Sequence, residues 1–448
     1  MDPYILKYLV ESTDDAWTKR YYDYLKCDLD FRFWAQGTHF THSWDVYRAK
    51  YLASLNRPQW RKVLGNVKRY LLGGYKKRNP ATPLELVLPK NGYNVLSIVD
   101  VPIRSQEAIR QCGINYIPIG INHGCVEYDM PAMLAMVDFY LDLRDLTFSE
   151  IIAPEMIERM RVLYDNLQEE LSRYAFDAVF VRTSELFYEK ILIDIFKSLN
   201  KPSITLLHGL PGVYTKATEY RSEYLLVWSE IIRENFIARG YDSKHVLVAG
   251  NYKYTTMPHI DDLRCSSEDV LILTTAPYED HQHEWEYDKF CINDRSLLVG
   301  YLYNVEHVLK ANGINHARLR PHPHTNKVWL QENIDMDFYT FDYEPIITSL
   351  KHATMCVGTT STTMIEALMC GVSYLVYEPG EGDYSFSGYP LVPPFNKEYK
   401  HLKVAYNEEQ LSELIQTQYK PDANRLLNDF LQPFNPQIIK QILDEQKA

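Results

Sequence analysis

Two stretches in the second half of the chain carry side chains able to stabilise a departing anion. Thr359, Thr360, Ser361, Thr362 and Thr363 are consecutive hydroxyl residues that follow a short apolar run, Met355 to Val357, and a glycine, Gly358. The spacing after them predicts a helix with Glu366 near its start and Gly371 as its stop. Unpaired backbone N–H groups and the positive end of the helix dipole then lie beside the hydroxyls, an arrangement suited to a phosphate. Taken alone, the cluster also reads as a plain Ser/Thr helix cap. The second stretch, Leu319-Arg320-Pro321-His322-Pro323-His324, leaves a predicted strand over 317–319, and its prolines stiffen the exit. In a parallel sheet this exit is expected next to the hydroxyl run. Arg320, His322 and the helix start would then converge on one leaving phosphate.

Two other constellations are compatible with chemistry. Glu279-Asp280-His281-Gln282-His283-Glu284 has metal-compatible side chains but lacks a strict helical pair of ligands, so contact with acceptor or nucleotide is the better expectation. Gly380-Glu381-Gly382 follows a proline and lacks a dinucleotide fingerprint; it fits a donor-site loop or a plain turn equally.

The elements that must position these residues alternate between strand and helix. Strand-like runs are read at 94–99, 115–118, 178–182, 203–207, 224–228 and 246–249, with helices at 105–111, 185–199 and 230–239 and a mostly helical stretch over 131–174 broken near Pro154. A linker is read at 251–268. A second alternating set follows, with strands at 270–274, 317–319, 338–341, 355–357 and 373–377 and helices at 295–311 and 344–352. Such alternation predicts α/β architecture with two parallel sheets covered on both faces and ligands at the carboxyl ends of the strands. The expected units are a helical region over 1–90, a first Rossmann-like unit over 91–255, a second over 265–405, and C-terminal helices at 408–417 and 422–446 that cross back onto the first.

Length and composition narrow the class. A chain of 448 residues exceeds one ordinary core. A formal charge of −12 argues against a general nucleic-acid partner, which demands a basic footprint. The seven cysteines include no C-x-x-C pair, which fits a reduced, cytoplasmic protein without structural zinc. No signal peptide and no run of 18 apolar residues is read. Residues 60–78 hold seven basic side chains among apolar ones, a pattern that reads first as a solvated helix face and also suits peripheral contact with an anionic inner membrane. The 35 tyrosines are a weak pointer to carbohydrate handling.

Arg-Pro-His-Pro at 320–323 followed by Val-Gly-Thr-Thr-Ser-Thr-Thr-Met-Ile-Glu-Ala-Leu-Met-Cys-Gly at 357–371 resembles the His-Pro and Ser/Thr motifs of bacterial surface-polysaccharide transferases of GT-B fold. That group includes Kdo transferases, polysialyltransferases and CDP-glycerol polymerases. Leu-Leu-His-Gly-Leu-Pro-Gly at 206–212, Leu-Val-Trp-Ser-Glu at 226–230 and Val-Ala-Gly-Asn-Tyr at 248–252 resemble its N-terminal unit. The resemblance implies a nucleotide-sugar donor carrying CMP or CDP and a glycan or glycolipid acceptor for capsule or lipopolysaccharide. It implies donor-phosphate contacts from His322, Arg320, Pro323 and the hydroxyls 359–363, with Glu366 nearby. No Asp-x-Asp metal motif is read, and a helix start with His and Arg can supply a metal's electrostatics, so transfer without a metal or other cofactor is expected. The Glu-x7-Glu pattern of many retaining relatives is absent, since Tyr374 stands eight residues past Glu366, so inversion is expected. An inverting enzyme needs a base from the first unit. Glu185, His208 and Glu230 all stand at strand exits; the polymerase likeness favours His208, the sialyl-type likeness Glu185, and Glu230 reads more simply as a helix-start carboxylate. A CMP-sugar transferase of Kdo or sialic acid type is thus the leading expectation. A CDP-glycerol-type phosphotransferase, a UDP-sugar 2-epimerase and a non-catalytic glycan-binding protein are its rivals.

Overall fold

The computed structural model describes residues 5–26, 28–29, 51–56, 84–120, 126, 128–183, 186–212, 214, 221–254, 258–274, 295–322, 325, 327–380, 385 and 390–447. Helices α1 (Ile5–Glu11) and α2 (Ala16–Tyr24) precede a first sheet of β1 (Tyr93–Ser97), β2 (Ile114–Pro118), β3 (Ala178–Val181), β4 (Ser203–Leu206), β5 (Tyr224–Val227) and β6 (Val246–Val248). Its helices are α3 (Ile103–Gln111), α4 (Pro131–Asp142), α5 (Phe148–Ile151), α6 (Pro154–Ser172), α7 (Phe187–Ser198) and α8 (Glu230–Ala238). The second sheet holds β7 (Val270–Leu273), β8 (Ala317–Arg320), β9 (Tyr339–Phe341), β10 (Met355–Gly358), β11 (Tyr374–Tyr377) and β12 (Val404–Ala405). With it go α9 (Arg295–Ala311), α10 (Lys327–Asn333), α11 (Ile346–His352) and α12 (Thr363–Met369), then α13 (Glu408–Gln416), α14 (Ala423–Phe430) and α15 (Gln437–Glu445).

Every strand pair is parallel, and the orders are β2-β1-β3-β4-β5-β6 and β12-β11-β10-β7-β8-β9. This is the two-unit α/β, GT-B arrangement that the sequence implied. Central strands such as Ala-Val-Phe-Val (β3) and Val-Leu-Ile-Leu (β7) are buried throughout, because helices cover both faces of a parallel sheet. On one face of the first sheet, α2, α4, α6 and α7 close an apolar core; on the other, Ile439, Ile442 and Leu443 of α15 pack with Ile109 of α3 against Val95, Phe180 and Ile204. A further cluster runs from Val227, Ile232 and Phe236 of the first unit through Leu426, Leu427 and Phe430 of α14 to Cys356, Met364 and Leu368 of the second, so the units share core.

Sequence order reverses between β1 and β3 in the first sheet and between β7 and β10 in the second. At such a point the adjoining loops turn to opposite faces and leave a crevice at the carboxyl ends of the strands.

The structure departs from the sequence reading in four places. β8 is not beside β10: β7 lies between them, pairing Leu273 with both Gly358 and Arg320. The helix expected over 422–446 is two helices, because Pro433 and Pro436 lack the N–H that would continue it. The segment between them instead pairs with the first sheet's last loop, Asn251 N–H donating to Gln432 O at 2.9 Å and Asn435 N–H to Ala249 O at 2.7 Å. The expected linker is not a solvated tether, since Leu263 and Cys265 are buried and Arg264 bridges to Val372. Helix α10 and strand β12 were not anticipated, being one short helix and a two-residue strand.

Candidate functional site

In the first unit, three strand ends are each pinned from behind by a buried side chain. After β3, the carboxylate of Glu189 (1% exposed) accepts from Arg182 N–H at 3.1 Å, Thr183 N–H at 3.2 Å and the Thr183 hydroxyl at 2.6 Å, which fixes the turn bearing Arg182. After β4, the fully buried Trp228 donates its indole N–H to Leu207 O at 2.7 Å and so holds the residue before His208. After β6, Asn251 Oδ1 accepts from Lys253 N–H at 2.7 Å and Tyr254 N–H at 3.2 Å, forming a tight turn. Gly250 precedes it with φ +76°, and a Cβ there would meet Pro433 O at 2.1 Å. The Trp-Ser-Glu and Gly-Asn-Tyr motifs therefore support His208 and Lys253 from behind.

His208 sits in a basic environment. Burial first, then the charges of Arg182 and Lys253, push its imidazole down to about 4. At neutral pH it is uncharged and free to accept a proton. Lys253 is itself lowered, by burial and by Arg182, while Glu366 acts in the opposite direction.

The second unit presents hydroxyls. Gly358 ends β10 in a place where a Cβ would lie 2.6 Å from Leu273 O and closer still to the Tyr374 hydroxyl, so only glycine fits. That hydroxyl donates to Thr359 O at 2.6 Å, and the buried Glu378 accepts from Thr360 N–H. The Ser361 hydroxyl donates to Thr363 Oγ1 at 3.1 Å and accepts from Thr363 N–H at 3.1 Å. Helix α12, Thr363–Met369, is only two turns long, so its dipole is weaker than the sequence reading assumed. What the crevice between β7 and β10 does offer is two buried hydroxyls, Thr274 Oγ1 and Thr360 Oγ1, that have no hydrogen-bond partner among the described residues. Such groups are costly unless something satisfies them.

The two units meet at this point. Leu210 N–H donates to Thr362 Oγ1 at 3.0 Å, and the Tyr254 hydroxyl donates to Glu366 Oε1 at 3.0 Å. A Cβ on Gly209 would sit 2.7 Å from Thr362 Oγ1, so the His-Gly pair is what lets the backbone after β4 reach the hydroxyl run.

Several residues named from the sequence are placed differently from expectation. Arg320 donates to Glu344 O and lies 3.5 Å from Asp342 Oδ1, leaning toward β9 and away from the hydroxyl run. His322 is half-buried just past β8, with its carbonyl accepting from Thr325 N–H at 2.9 Å; because β7 intervenes, it is about 10 Å, two strand spacings, from the β10 exit. Thr362 spends its hydroxyl on the first unit. Thr359, 1% exposed, faces the interior. Glu230 pairs with Arg233 at 2.7 Å on the first turn of α8, as a helix-start carboxylate would. Glu185, Pro323, the 279–284 cluster, residues 60–78 and Glu381-Gly382 lie outside the described residues.

Arg182, Lys253, Thr274, Glu378 and Tyr254 were missed. Each is one ordinary residue at a strand exit, and only the strand order shows that they share a cleft. Of the sequence's two Asp-x-Asp triplets, Asp28-Leu29-Asp30 and Asp335-Met336-Asp337, the second precedes β9, with Asp335 paired to Lys310 at 3.0 Å. Among the described residues no group of three metal-ligating side chains is gathered, and no helix is long and apolar enough to cross a membrane.

No family profile matches this chain, and no curated protein matches it in sequence. Among solved structures it is similar to a UDP-N-acetylglucosamine 2-epimerase from Rickettsia bellii, at 12% identity over 80% of this chain and 97% of that one, with a TM-score of 0.47. It is also similar to the UDP-GlcNAc 2-epimerase of Methanocaldococcus jannaschii in complex with UDP-GlcNAc and UDP, at 14% identity over 79% and 99% of the two chains, with a TM-score of 0.45. A variant of the wall teichoic acid polymerase TagF aligns at 12% identity over 87% of this chain and 97% of its own, with a TM-score of 0.40. Likeness at this level assigns this chain neither an activity nor a ligand.

Proposed function

We propose that the protein is an inverting glycosyltransferase that moves a sugar of Kdo or sialic acid type from a CMP-sugar to a bacterial surface polysaccharide or glycolipid, without a metal. The observation that carries this reading is the contact between the His208-Gly209-Leu210 segment and Thr362. It brings an uncharged imidazole toward the β7/β10 crevice, whose hydroxyls have no partner among the described residues. In this reading Thr274 and Thr360 donate to the donor phosphate, with Ser361 and Thr363 shaping the loop, and His322 bounds the far side across β7. His208 is the base. As the acceptor oxygen bonds to the anomeric carbon, its proton passes to His208; the bond from that carbon to the phosphate oxygen breaks, and the electron pair leaves with CMP.

A thermal-shift panel of CMP, CDP, UDP and GDP tests the donor class, because a ligand that binds only the folded state raises the apparent melting temperature. CMP is expected to give the largest shift; no shift with any nucleotide overturns the reading. A preference for CDP together with complete loss of turnover in His208→Ala would favour the CDP-glycerol-type phosphotransferase. Release of a free epimerised sugar without acceptor would favour the epimerase.

A further inference from the structure

We propose that the cavity beside β2, away from the cleft, is a carbohydrate subsite that takes one neutral sugar ring of a glycan. That the ring belongs to the acceptor rests on the transferase reading, whereas the subsite stands on the residues that line it. The cavity measures about 280 Å³ and lies between the outermost strand of the first sheet and the segment 84–89. Glu85, Val87, Pro89, Arg110, Asn115 and Tyr128 supply its walls. Its volume falls just under the range of about 300–1,000 Å³ for drug-sized ligands, so it suits a single ring better than a nucleotide.

Both walls are held in place. Leu84 O accepts from Asp129 N–H at 2.8 Å and Pro89 O from Asn94 Nδ2 at 3.1 Å, which ties down each end of the segment. On the strand side, Asn115 Nδ2 donates to Asn91 O at 2.9 Å and to Asn94 Oδ1 at 3.0 Å. Both amide hydrogens are thereby used, and Asn115 Oδ1 remains an acceptor without a donor among the described residues.

The polar groups narrow the ligand by elimination. Glu85 and Arg110 line one cavity, yet among the described residues neither is in an ion pair; Arg110 only approaches Gln106 Oε1, at 3.4 Å. An anion would be repelled by the carboxylate and a cation by the guanidinium. A hydroxyl group both donates and accepts, so a polyol can give hydrogen bonds to Glu85 and Asn115 Oδ1 while taking one from Arg110. The ring of Tyr128 and the side chain of Val87, which is 73% exposed, offer an apolar surface to the C–H face that a pyranose carries beside its hydroxyls. The subsite is separate from the cleft: β1 and β3 stand between β2 and β4, which sets it about 14 Å, three strand spacings, from the strand that ends at His208. One ring cannot fill both places, whereas a chain of several sugars can.

Saturation-transfer NMR on the full chain tests the subsite, with methyl α-glucoside, methyl α-galactoside, methyl α-mannoside and N-acetylglucosamine as probes and alanine as a zwitterionic control. At least one sugar is expected to receive saturation. Glu85→Ala and Arg110→Ala should each weaken that binding about five- to tenfold, since each removes a hydrogen bond to a charged group. Both side chains are exposed, so the variants are expected to fold, which thermal unfolding checks. Saturating CMP should leave the sugar signal in place. Transfer to none of the sugars, transfer undiminished in both variants, or displacement by CMP overturns the subsite, and a response to alanine in place of the sugars overturns its carbohydrate assignment. Failure of the transferase reading would show separately, as an empty nucleotide panel with sugar binding intact.

Discussion

The two edges of the cleft are built from opposite materials. The first unit offers charge, Arg182 and Lys253, beside a ring whose proton affinity burial first, and then those charges, suppress. The second offers neutral donors, Thr274 and Thr360, on a loop held by the buried Glu378 and the Tyr374 hydroxyl. A charged edge can respond to a ligand by shifting a proton, whereas a hydroxyl edge can only donate or fail to donate. On the proposed reading, proton transfer falls to the first unit and leaving-group recognition to the second, and each half of that division can be broken separately.

The largest effect is expected at His208. Replacing it with Ala should lower kcat by about 10²–10⁴-fold, the range for a lost general base, while nucleotide affinity from the hydroxyl edge is retained. Equal losses in turnover and nucleotide binding would erase the division of labour.

The same residue should mark the pH dependence of stability. Its folded midpoint, about 4, lies below the unfolded value of 6.5. Between those values the unfolded chain binds more protons, so stability is fully present above 6.5 and falls as pH drops through the window. The loss from pH 7 to 4.5 should be about 2–3 kcal/mol greater in wild type than in His208→Gln, read from urea unfolding. Equal pH profiles would mean that the ring is not held in a suppressing environment.

How much of this was legible beforehand differs between the two edges. The alternation of apolar strands with helices announced both sheets, and the run Thr359–Thr363 announced the hydroxyl edge, because five consecutive hydroxyls are conspicuous in one dimension. The charged edge was half-visible: His208 stood in a motif, while Arg182 and Lys253 are seventy-one residues apart and come to the same carboxyl edge of the sheet only through the order β3-β4-β5-β6. Strand order is also why His322 was set beside the hydroxyls. Sequence gives the succession of strands, but nothing local says that β7 enters between β8 and β10. Arg320 was overvalued for the same reason, since its partner Asp342 belongs to the neighbouring β9 edge.

The link between the edges is the next point of attack. Gly209→Ala would place a methyl 2.7 Å from Thr362 Oγ1. Forcing that contact should cost about 1–3 kcal/mol in urea unfolding and weaken turnover along with it. Thr362→Ala in the same chain removes the obstructing atom and should restore part of the loss, a non-additivity that two independent sites would not show. If the double variant is simply the sum of the singles, the contact does not couple the units.

The smallest effect should be the most specific. Thr274→Val and Thr360→Val keep the side-chain shape and delete a hydroxyl that has no hydrogen-bond partner among the described residues. Removing an unsatisfied buried polar atom leaves folding stability unchanged or raises it, by up to about 1 kcal/mol. If those hydroxyls exist to meet a donor phosphate, the same variants should bind CMP about five- to tenfold more weakly, since each loses one hydrogen bond to a charged group. Stability and affinity would therefore move in opposite directions, which a purely structural pair of threonines cannot produce. The His208 midpoint should stay at its wild-type value in both variants, because neither substitution changes the burial of the ring or the charges of Arg182 and Lys253. A fall in stability with CMP affinity untouched would instead place the two hydroxyls in the packing of the sheet edge and move leaving-group recognition elsewhere in the second unit.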